Sequence, residues 1–464
     1  MPTLLPDDLM VSVSGFRGRV GDALTPELVA RLAACYGAFL REEGDEGPVV
    51  VGRDSRTSGP MLMRAAVAGL LSVGCRVVEL GVVPTPTLML AVREGDAAGG
   101  LGVTASHNPA EWNALKFAVR GGTFLPPERM KRFQARVRER DPGRAPWHAI
   151  ACVERDGRAV ERHIAAILNL SLLDTERIRR ERMHVALDCG NGAGGVIMPE
   201  LLSRLGCEVS AIGIEATGRF HRNPEPTADS LAALVDLVRA SGARIGLAVD
   251  PDVDRLSLVD EGGRALGEDL TLALAADVVL RRRRGSVVTN LSTSRVVDDV
   301  AESHGRRVIR APVGEINVVE RMIAEDAVVG GEGNGGVILP ELHHTRDAPA
   351  GAALLLQYLA DEPGASLSTR VDRLPAYRIV KTKVSFPREL LAGAYAAFPQ
   401  AMSGGRCDRS DGLRIDWRSR RRWLHVRPSG TEPVVRLIAE ADVAAEAQSL
   451  LDRAGEVLAR VARS

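Results

Sequence analysis

The strongest constraint on the fold is a unit that recurs three times along the chain. Each copy reads as a strand, a helix, a second strand introduced by Gly-x-x-Val, and a third strand that ends in a polar loop. In the first copy VVVGRDSR leads through a helix near residues 59–73 to GCRVVELG at 74, and then to a loop at Ser106. In the second, HVALDCGNG leads to GCEVSAIG at 206 and then to a loop at Asp250. In the third, SVVTNLSTS leads to GRRVIRAP at 305 and then to a loop at Glu332. Strands alternating with helices imply right-handed crossovers and mainly parallel sheets. Ligands gather at the carboxyl ends of such strands, which is where all three loops fall.

Helix punctuation agrees with this division: Thr25 and Pro26 suit the N-cap and first helical position, and Gly44 follows a last turn. From about residue 367 the pattern changes to short strands (YRIVKTKVSF, GLRIDW, WLHVRP, VRLIAEA) and a final helix near 443–462. A chain of 464 residues exceeds what one hydrophobic core supports. The expected fold class is therefore α/β: three repeated βαβαβ-type domains with mainly parallel mixed sheets, plus a smaller C-terminal α+β lid domain. The corresponding divisions are 1–150, 151–255, 256–366 and 367–464.

Each polar loop has its own chemistry. Leu101 and Val103 precede Thr104-Ala105-Ser106-His107-Asn108-Pro109, which reads as a strand breaking into a tight turn with Ser106 on an exposed bend. Pro109 stops the ladder and biases Asn108 away from helix. Such a serine can carry a phosphoryl or acyl group covalently, or simply belong to a polar turn. Next, Ile245, Leu247 and Val249 lead into Asp250, Asp252 and Asp254, whose carboxylates can converge on one hard cation. Oxygen-only ligands suit Mg²⁺ better than zinc or copper. An EF-hand is excluded, because its sixth-position glycine is Arg255 and a strand precedes the loop.

In the segment VVGGEGNGGVILPE, residues 328–341, glycines surround Glu332 and Asn334. That composition fits either a flexible loop or a site where backbone approaches a sugar and polar side chains meet its hydroxyls. Further on, Arg427, Ser429, Gly430 and Thr431 offer a guanidinium fork, two hydroxyls and backbone N–H groups in one turn between strands. The turn is a plain hairpin or a concavity that suits a phosphate dianion.

Taken in order, these segments resemble the α-D-phosphohexomutase family. Its marks are a phosphoserine loop S-H-N-P, a metal loop D-x-D-x-D-R, a sugar loop G-E-x-x-G and a phosphate loop R-x-S-G/N-T-x-P. They stand here at residues 106–109, 250–255, 331–335 and 427–433, and SGFRG at 14–18 looks like the family's opening motif. The resemblance covers essentially the whole chain. It implies interconversion of hexose 6-phosphate and hexose 1-phosphate through a phosphoserine and a hexose 1,6-bisphosphate, which also serves as activator. Ser106, Asp250, Asp252 and Asp254 would share one Mg²⁺ per chain, placed to neutralise the transferring group. Ser106, Lys116, Arg255 and His107 are the implied catalytic residues. Lys116 is the candidate general acid/base, made plausible as a buried group of lowered pKa in a chain with only four lysines. Arg17 and Arg255 would orient phosphate, Glu332 and Asn334 the sugar hydroxyls, and Arg427, Ser429, Gly430 and Thr431 the phosphate that does not react.

One departure stands out. Many family members end the sugar loop G-E-x-S-G-H, whereas the histidine position here is Gly336, leaving His343 or His344 as possible substitutes. The G-E-G-N-G-G form, with Val313-Gly314-Glu315 upstream, is similar to the archaeal-type phosphoglucosamine mutases. Glucosamine phosphate is thus the expected substrate. The alternatives are phosphoglucomutase or phosphomannomutase activity and, further off, a phosphoserine-dependent sugar phosphatase or a silent sugar-phosphate-binding protein.

Composition narrows the remaining classes. Sixty basic and sixty acidic residues leave no net charge to draw nucleic acid or an acidic membrane. The arginine runs 281–284 and 420–422 read as solvated faces, without the interleaved aromatics of a single-strand binder. Six scattered cysteines without C-x-x-C spacing fit reduced thiols in a cytoplasmic protein. No signal peptide is evident in MPTLLPDDLM, and no window approaches the roughly 18 apolar residues of a membrane span. The expected assembly is a monomer or homodimer.

Overall fold

The computed structural model describes residues 5–139, 141–429 and 434–463. Among them, four sheets follow one another along the chain. In the second, His184–Asp188, Glu208–Ile212 and Ile245–Val249 run parallel, with the first strand in the middle, and Leu256–Asp260 pairs antiparallel to the third. The third sheet repeats this with Val287–Asn290, Val308–Ala311, Val329–Glu332 and Gly336–Ile338. The first contains the same unit in Val49–Arg53, Val77–Val82, Gly99–Val103 and Trp112–Val119.

The repetition predicted from the sequence is therefore a repetition of topology. In every copy the polar loop is the turn of a hairpin, joining the parallel third strand to an antiparallel fourth. Leu256–Asp260 stays with the second sheet, so a division of the chain at 255/256 runs through that hairpin. The first sheet is extended by antiparallel Gly15–Arg19, Met10–Ser12 and Thr123–Phe124 on one side and by parallel Val153–Arg155 on the other.

Helix ends follow their sequence signals. Thr25 caps Pro26–Glu42 by accepting from Leu28 N at 3.3 Å, and Gly44 takes φ +80° just beyond it. Helix Ala348–Asp361 is buried on every side from Ala348 to Ala360, because it lies inside the core shared by the second and third repeats. The fourth sheet is wholly antiparallel, with Arg378–Ser385, Val434–Ala441, Arg422–Pro428, Leu413–Trp417 and Arg406–Asp408 in spatial order. Helices Leu391–Ala401 and Ala444–Val461 complete its own core, giving the smaller α+β part. Among the described residues no helix is long and apolar enough to cross a membrane.

Candidate active site

Ser106 has a left-handed backbone, φ +49°, a conformation that costs a residue with a Cβ about 1–3 kcal/mol unless its surroundings enforce it. Arg56 enforces it. This arginine is fully buried, and its guanidinium donates to the carbonyls of Ser106, Asn108 and Pro109 at 2.6 Å each and of Trp112 at 2.9 Å. Arg56 is held in turn by Asp54, whose carboxylate also accepts the Thr104 hydroxyl at 2.6 Å. The exposed bend expected for Ser106 is instead a buried one, 3 % exposed, because these bonds draw the loop inward.

The Ser106 hydroxyl donates to Asp250 Oδ2 at 2.9 Å, across the gap between the first and second repeats. The acidic loop is bent at Val253, a β-branched residue at φ +63°, where the backbone N–H groups of Asp254 and Arg255 both turn toward Asp250 Oδ1 at 3.0 and 3.1 Å. Asp252 Oδ2 accepts from Lys116 Nζ and Thr85 Oγ1, both at 2.7 Å, and Asp254 Oδ2 from Arg346 Nη2 at 2.6 Å. Carboxylate oxygens of the three aspartates lie within 4.8 Å of one another, and all three residues are buried. Among the described residues Asp252 Oδ1 and Asp254 Oδ1 are buried without a hydrogen-bond partner. An oxygen-only cluster with two unserved oxygens fits a hard divalent cation.

Electrostatics at this point are set by crowding. Burial, with the neighbouring Asp254 and Asp252, pushes the Asp250 carboxyl well above its usual range. Burial also opposes ionisation of Asp252, but the Lys116 ammonium and the Thr85 hydroxyl outweigh it and hold that carboxyl low. The lowered pKa expected for Lys116 is not what its surroundings produce. Burial disfavours the ammonium, yet Asp252 and Asp254 overcome this and raise the pKa. The His107 ring lies 3.3 Å from Ser106 Oγ through Nδ1, and desolvation, then Arg255 and Arg17, holds it neutral with a pKa of about 2.

The third repeat supplies the glycine-rich loop. Glu332 Oε1 accepts from Asn290 Nδ2 at 2.8 Å and Gly314 N at 3.1 Å, while Oε2 accepts from Arg346 Nη1 at 3.0 Å. Asn334 reaches back to Gly336 N through Oδ1 at 3.3 Å. A Cβ on Gly336 would stand 2.2 Å from Arg346 Cδ, so an arginine further along the same chain fills the space beside this glycine rather than a histidine upon it. Neither His343 nor His344 lines the cleft. His343 and His163 instead place Nε2 at 2.7 and 2.8 Å from the same oxygen of Asp347, in a buried knot tying helix Ala159–Leu168 to the third repeat. Those separations are hydrogen-bond lengths. His343 Nδ1 also lacks the outer partner that orients a metal-bound imidazole, among the described residues.

All four sheets contribute to one cleft of about 700 Å³. Arg17, Ser106, His107 and Lys116 line it from the first, Arg255 and Glu225 from the second, and Glu315, Glu332, Asn334 and Arg346 from the third. Arg17 is tied to the serine loop through Asn108 Oδ1 at 2.5 Å, and Arg255 to Glu225 at 2.7 Å. The fourth sheet supplies Arg427, paired with Asp411 at 3.2 Å, together with Lys381, Lys383 and Arg436. Ser429 is buried and does not line the cleft; Gly430 and Thr431 lie outside the described residues. Of the expected residues, Arg17, Ser106, His107, Lys116, Arg255, Glu332, Asn334 and Arg427 line this one cleft, while Asp250, Asp252 and Asp254 do not line it and reach it through Ser106 and Lys116. Arg56, Thr85, Arg346, Lys381, Lys383 and Arg436 were not anticipated, and Glu315 was noted only within the Val313-Gly314-Glu315 signature. Two of the four lysines stand two apart on one strand, a signal that sequence reading could have used.

Comparison with known proteins gives one match per sheet. Residues 9–144, 161–263 and 267–377 match the phosphoglucomutase/phosphomannomutase alpha/beta/alpha domains I, II and III, and residues 388–456 match the C-terminal domain. A Thermococcus kodakarensis phosphoglucomutase/phosphomannomutase is 38 % identical over 443 residues, 94 % of this chain and 96 % of that protein. A Methanopyrus kandleri protein named "Probable phosphoglucosamine mutase" is 35 % identical over 451 residues, 96 % of this chain and 97 % of the other. The crystal structure of a Burkholderia thailandensis phosphoglucomutase/phosphomannomutase family protein superposes with a TM-score of 0.83 at 25 % identity, covering 97 % of this chain and 98 % of that one. With every domain of that architecture matched in order, the protein belongs to the phosphoglucomutase/phosphomannomutase family of phosphohexomutases.

Proposed function

We propose that the protein converts glucosamine 6-phosphate to glucosamine 1-phosphate by intramolecular phosphoryl transfer through phosphorylated Ser106 and a hexose 1,6-bisphosphate. The observation that carries this reading is the Ser106 hydroxyl, fixed on a strained bend 2.9 Å from Asp250 at the wall of a cleft with cationic groups at both ends. In the first half-reaction the bond from phosphorus to Ser106 Oγ breaks, a bond to the free sugar hydroxyl oxygen forms, and the proton that hydroxyl gives up ends on Ser106 Oγ, restoring the serine hydroxyl. In the second the bisphosphate, turned over, returns its other phosphoryl group to Ser106. His107, whose Nδ1 is 3.3 Å from Oγ, and Lys116, an ammonium bound to Asp252 at 2.7 Å, would be the proton-exchanging groups of this reading.

Asp250, Asp252, Asp254 and Ser106 would hold a Mg²⁺ ion, which when bound neutralises charge on the transferring phosphoryl group. Arg17 and Arg255 flank that point and would orient the reacting phosphate. Glu332 and Asn334 would hold sugar hydroxyls shared by the two orientations, and Arg427, with Ser429, Gly430 and Thr431, the other phosphate. The assembly proposed is a monomer or homodimer. Six free cysteines fit a cytoplasmic setting.

A second reading keeps the chemistry and changes the sugar: the relative named phosphoglucomutase/phosphomannomutase shares 38 % identity, against 35 % for the Methanopyrus protein. One experiment separates the two and tests the carrier. Intact mass should show a fraction of the protein heavier by one phosphoryl group at Ser106, and excess EDTA should abolish turnover until Mg²⁺ is restored. Coupled assays of glucosamine, glucose and mannose 1-phosphates, with trace bisphosphate, should then rank glucosamine phosphate first. A higher efficiency on glucose or mannose phosphate moves the assignment to the second reading, and steady release of inorganic phosphate would favour a phosphatase.

A further inference from the structure

Arg346 joins the two loops that the proposed reaction must keep in register. Its guanidinium is bound by carboxylates from three elements: Asp254 of the acidic loop at 2.6 Å, Glu332 of the glycine-rich loop at 3.0 Å, and Glu315 at the start of helix Glu315–Ala324 at 3.1 Å. The side chain is 9 % exposed and forms part of the cleft wall. Its own backbone is pinned as well. Arg346 N donates to Glu315 Oε1 at 3.0 Å, and Asp347 caps helix Ala348–Asp361 by accepting from Ala350 N at 2.9 Å.

A planar fork bound on three edges transmits displacement, because its N–H directions are fixed relative to one another. Asp254 cannot turn toward a cation without changing what Arg346 offers Glu332, and Glu332 cannot turn toward a sugar without changing what Arg346 offers Asp254. Gly336 is the condition for this arrangement. A Cβ there would meet Arg346 Cδ at 2.2 Å and Cγ at 2.8 Å, so a side chain at 336 requires the Arg346 side chain to shift.

We infer that Arg346 is a positioning residue that couples divalent-cation binding at the acidic loop to hexose-phosphate binding at the Glu332 loop, and that Gly336 leaves it room. The inference rests on the proposed function, since it takes those two loops as the cation and sugar sites. Linkage makes the coupling reciprocal: each ligand changes the affinity for the other by the same factor, typically about 5- to 150-fold.

The test uses the full chain with Ser106→Ala, so that no phosphoryl group moves. Calorimetry measures Mg²⁺ affinity with and without saturating glucose 1,6-bisphosphate, and bisphosphate affinity with and without Mg²⁺. Arg346→Gln should reduce the coupling factor at least about fivefold, the lower end of such couplings. Gly336→Ala, which removes no charge and no hydrogen-bonding group, should reduce it similarly by displacing the guanidinium. Arg346→Lys should not restore it, because an ammonium cannot serve three carboxylates in one plane. Thermal melting identifies the folded variants. Parent-like coupling in either folded variant, Arg346→Gln or Gly336→Ala, or no coupling in the Ser106→Ala parent, would overturn the inference, whereas a chain with Ser106 intact that binds neither Mg²⁺ nor the bisphosphate overturns the proposed function itself.

Discussion

Thr85 and Asp252 are joined twice: the Thr85 hydroxyl donates to the Asp252 carboxylate at 2.7 Å, and the Thr85 N–H donates to the Asp252 carbonyl at 2.9 Å. Thr85 begins helix Thr85–Glu94 of the first repeat, so the acidic loop of the second repeat is registered against the element beside the serine strand. Thr85→Val keeps the shape and the backbone bond but removes the hydroxyl, leaving a buried carboxylate oxygen with one donor fewer. A loss of about 1–3 kcal/mol is expected. It should show as a raised Mg²⁺ requirement in turnover, with Thr85→Ser close to the parent. Equal Mg²⁺ dependence in Thr85→Val and parent would remove Thr85 from the site.

Arg56 allows a sharper test of how the serine bend is held. Arg56→Met strips four carbonyls of their donor and leaves Asp54 as an unpaired buried charge, an effect worth about 3–5 kcal/mol in comparable buried pairs. The variant should melt well below the parent and should lose phosphorylation of Ser106 even at temperatures where it is folded. Retained phosphoserine in the folded variant would show that the strained bend at Ser106 does not depend on Arg56.

Acid should weaken the fold through histidines that are buried neutral. His425 is held near pKa 4, chiefly by burial, with its Nε2 bound to the Asp411 carbonyl at 2.7 Å and its Nδ1 to Ser292 Oγ at 2.8 Å. Burial also lowers His343, against the pull of Asp347. The unfolded chain binds a proton at each of these rings below about pH 6.5, and the folded chain refuses it. Stability is therefore intact above that pH and falls as pH drops toward 4, by up to about 1.4 kcal/mol per unit for His425, with a further loss in the same direction from His343. Melting temperatures between pH 7.5 and 5 should fall for the parent and fall less steeply for His425→Gln. An identical slope would mean that His425 takes up its proton in the folded state.

The reach of the sequence is clear from these same residues. Ser106, Asp250, Asp252, Asp254, Glu332 and Arg427 announce themselves because each sits in a short run of turn-forming residues after an apolar strand, and strand, turn and chemistry are all local. Arg56 acts on a carbonyl 50 residues away, Lys116 on a carboxylate 136 residues away and Arg346 on one 92 residues away. Nothing in the flanking residues of Arg56 and Arg346 distinguishes them in an arginine-rich chain, whereas Lys116 stands out as one of four lysines but not by its partner. The same distance explains the misjudged pKa of Lys116: its burial is legible from the strand, but the carboxylates that reverse the effect belong to another repeat. The glycine at 336 was visible as a missing histidine, and only the packed structure shows the arginine that needs the space.

The far wall of the cleft offers a last test, on residues with no part in the serine chemistry. Lys381 and Arg436 lie on the paired strands Arg378–Ser385 and Val434–Ala441 and line the cleft on the side of Arg427. A phosphate held there stays put while the other end reacts, so these cations should bind ground state and transition state alike. Uniform binding of that kind appears in KM and not in kcat. Each hydrogen bond to a charged partner is worth about 1.5–3 kcal/mol, so Lys381→Ala and Arg436→Ala should each raise KM for hexose phosphate roughly 10- to 150-fold with kcat nearly unchanged. Because the wall is open to solvent, the parent's KM should climb with ionic strength more steeply than either variant's. A fall in kcat matching the rise in KM would instead place these residues against the reacting phosphoryl group.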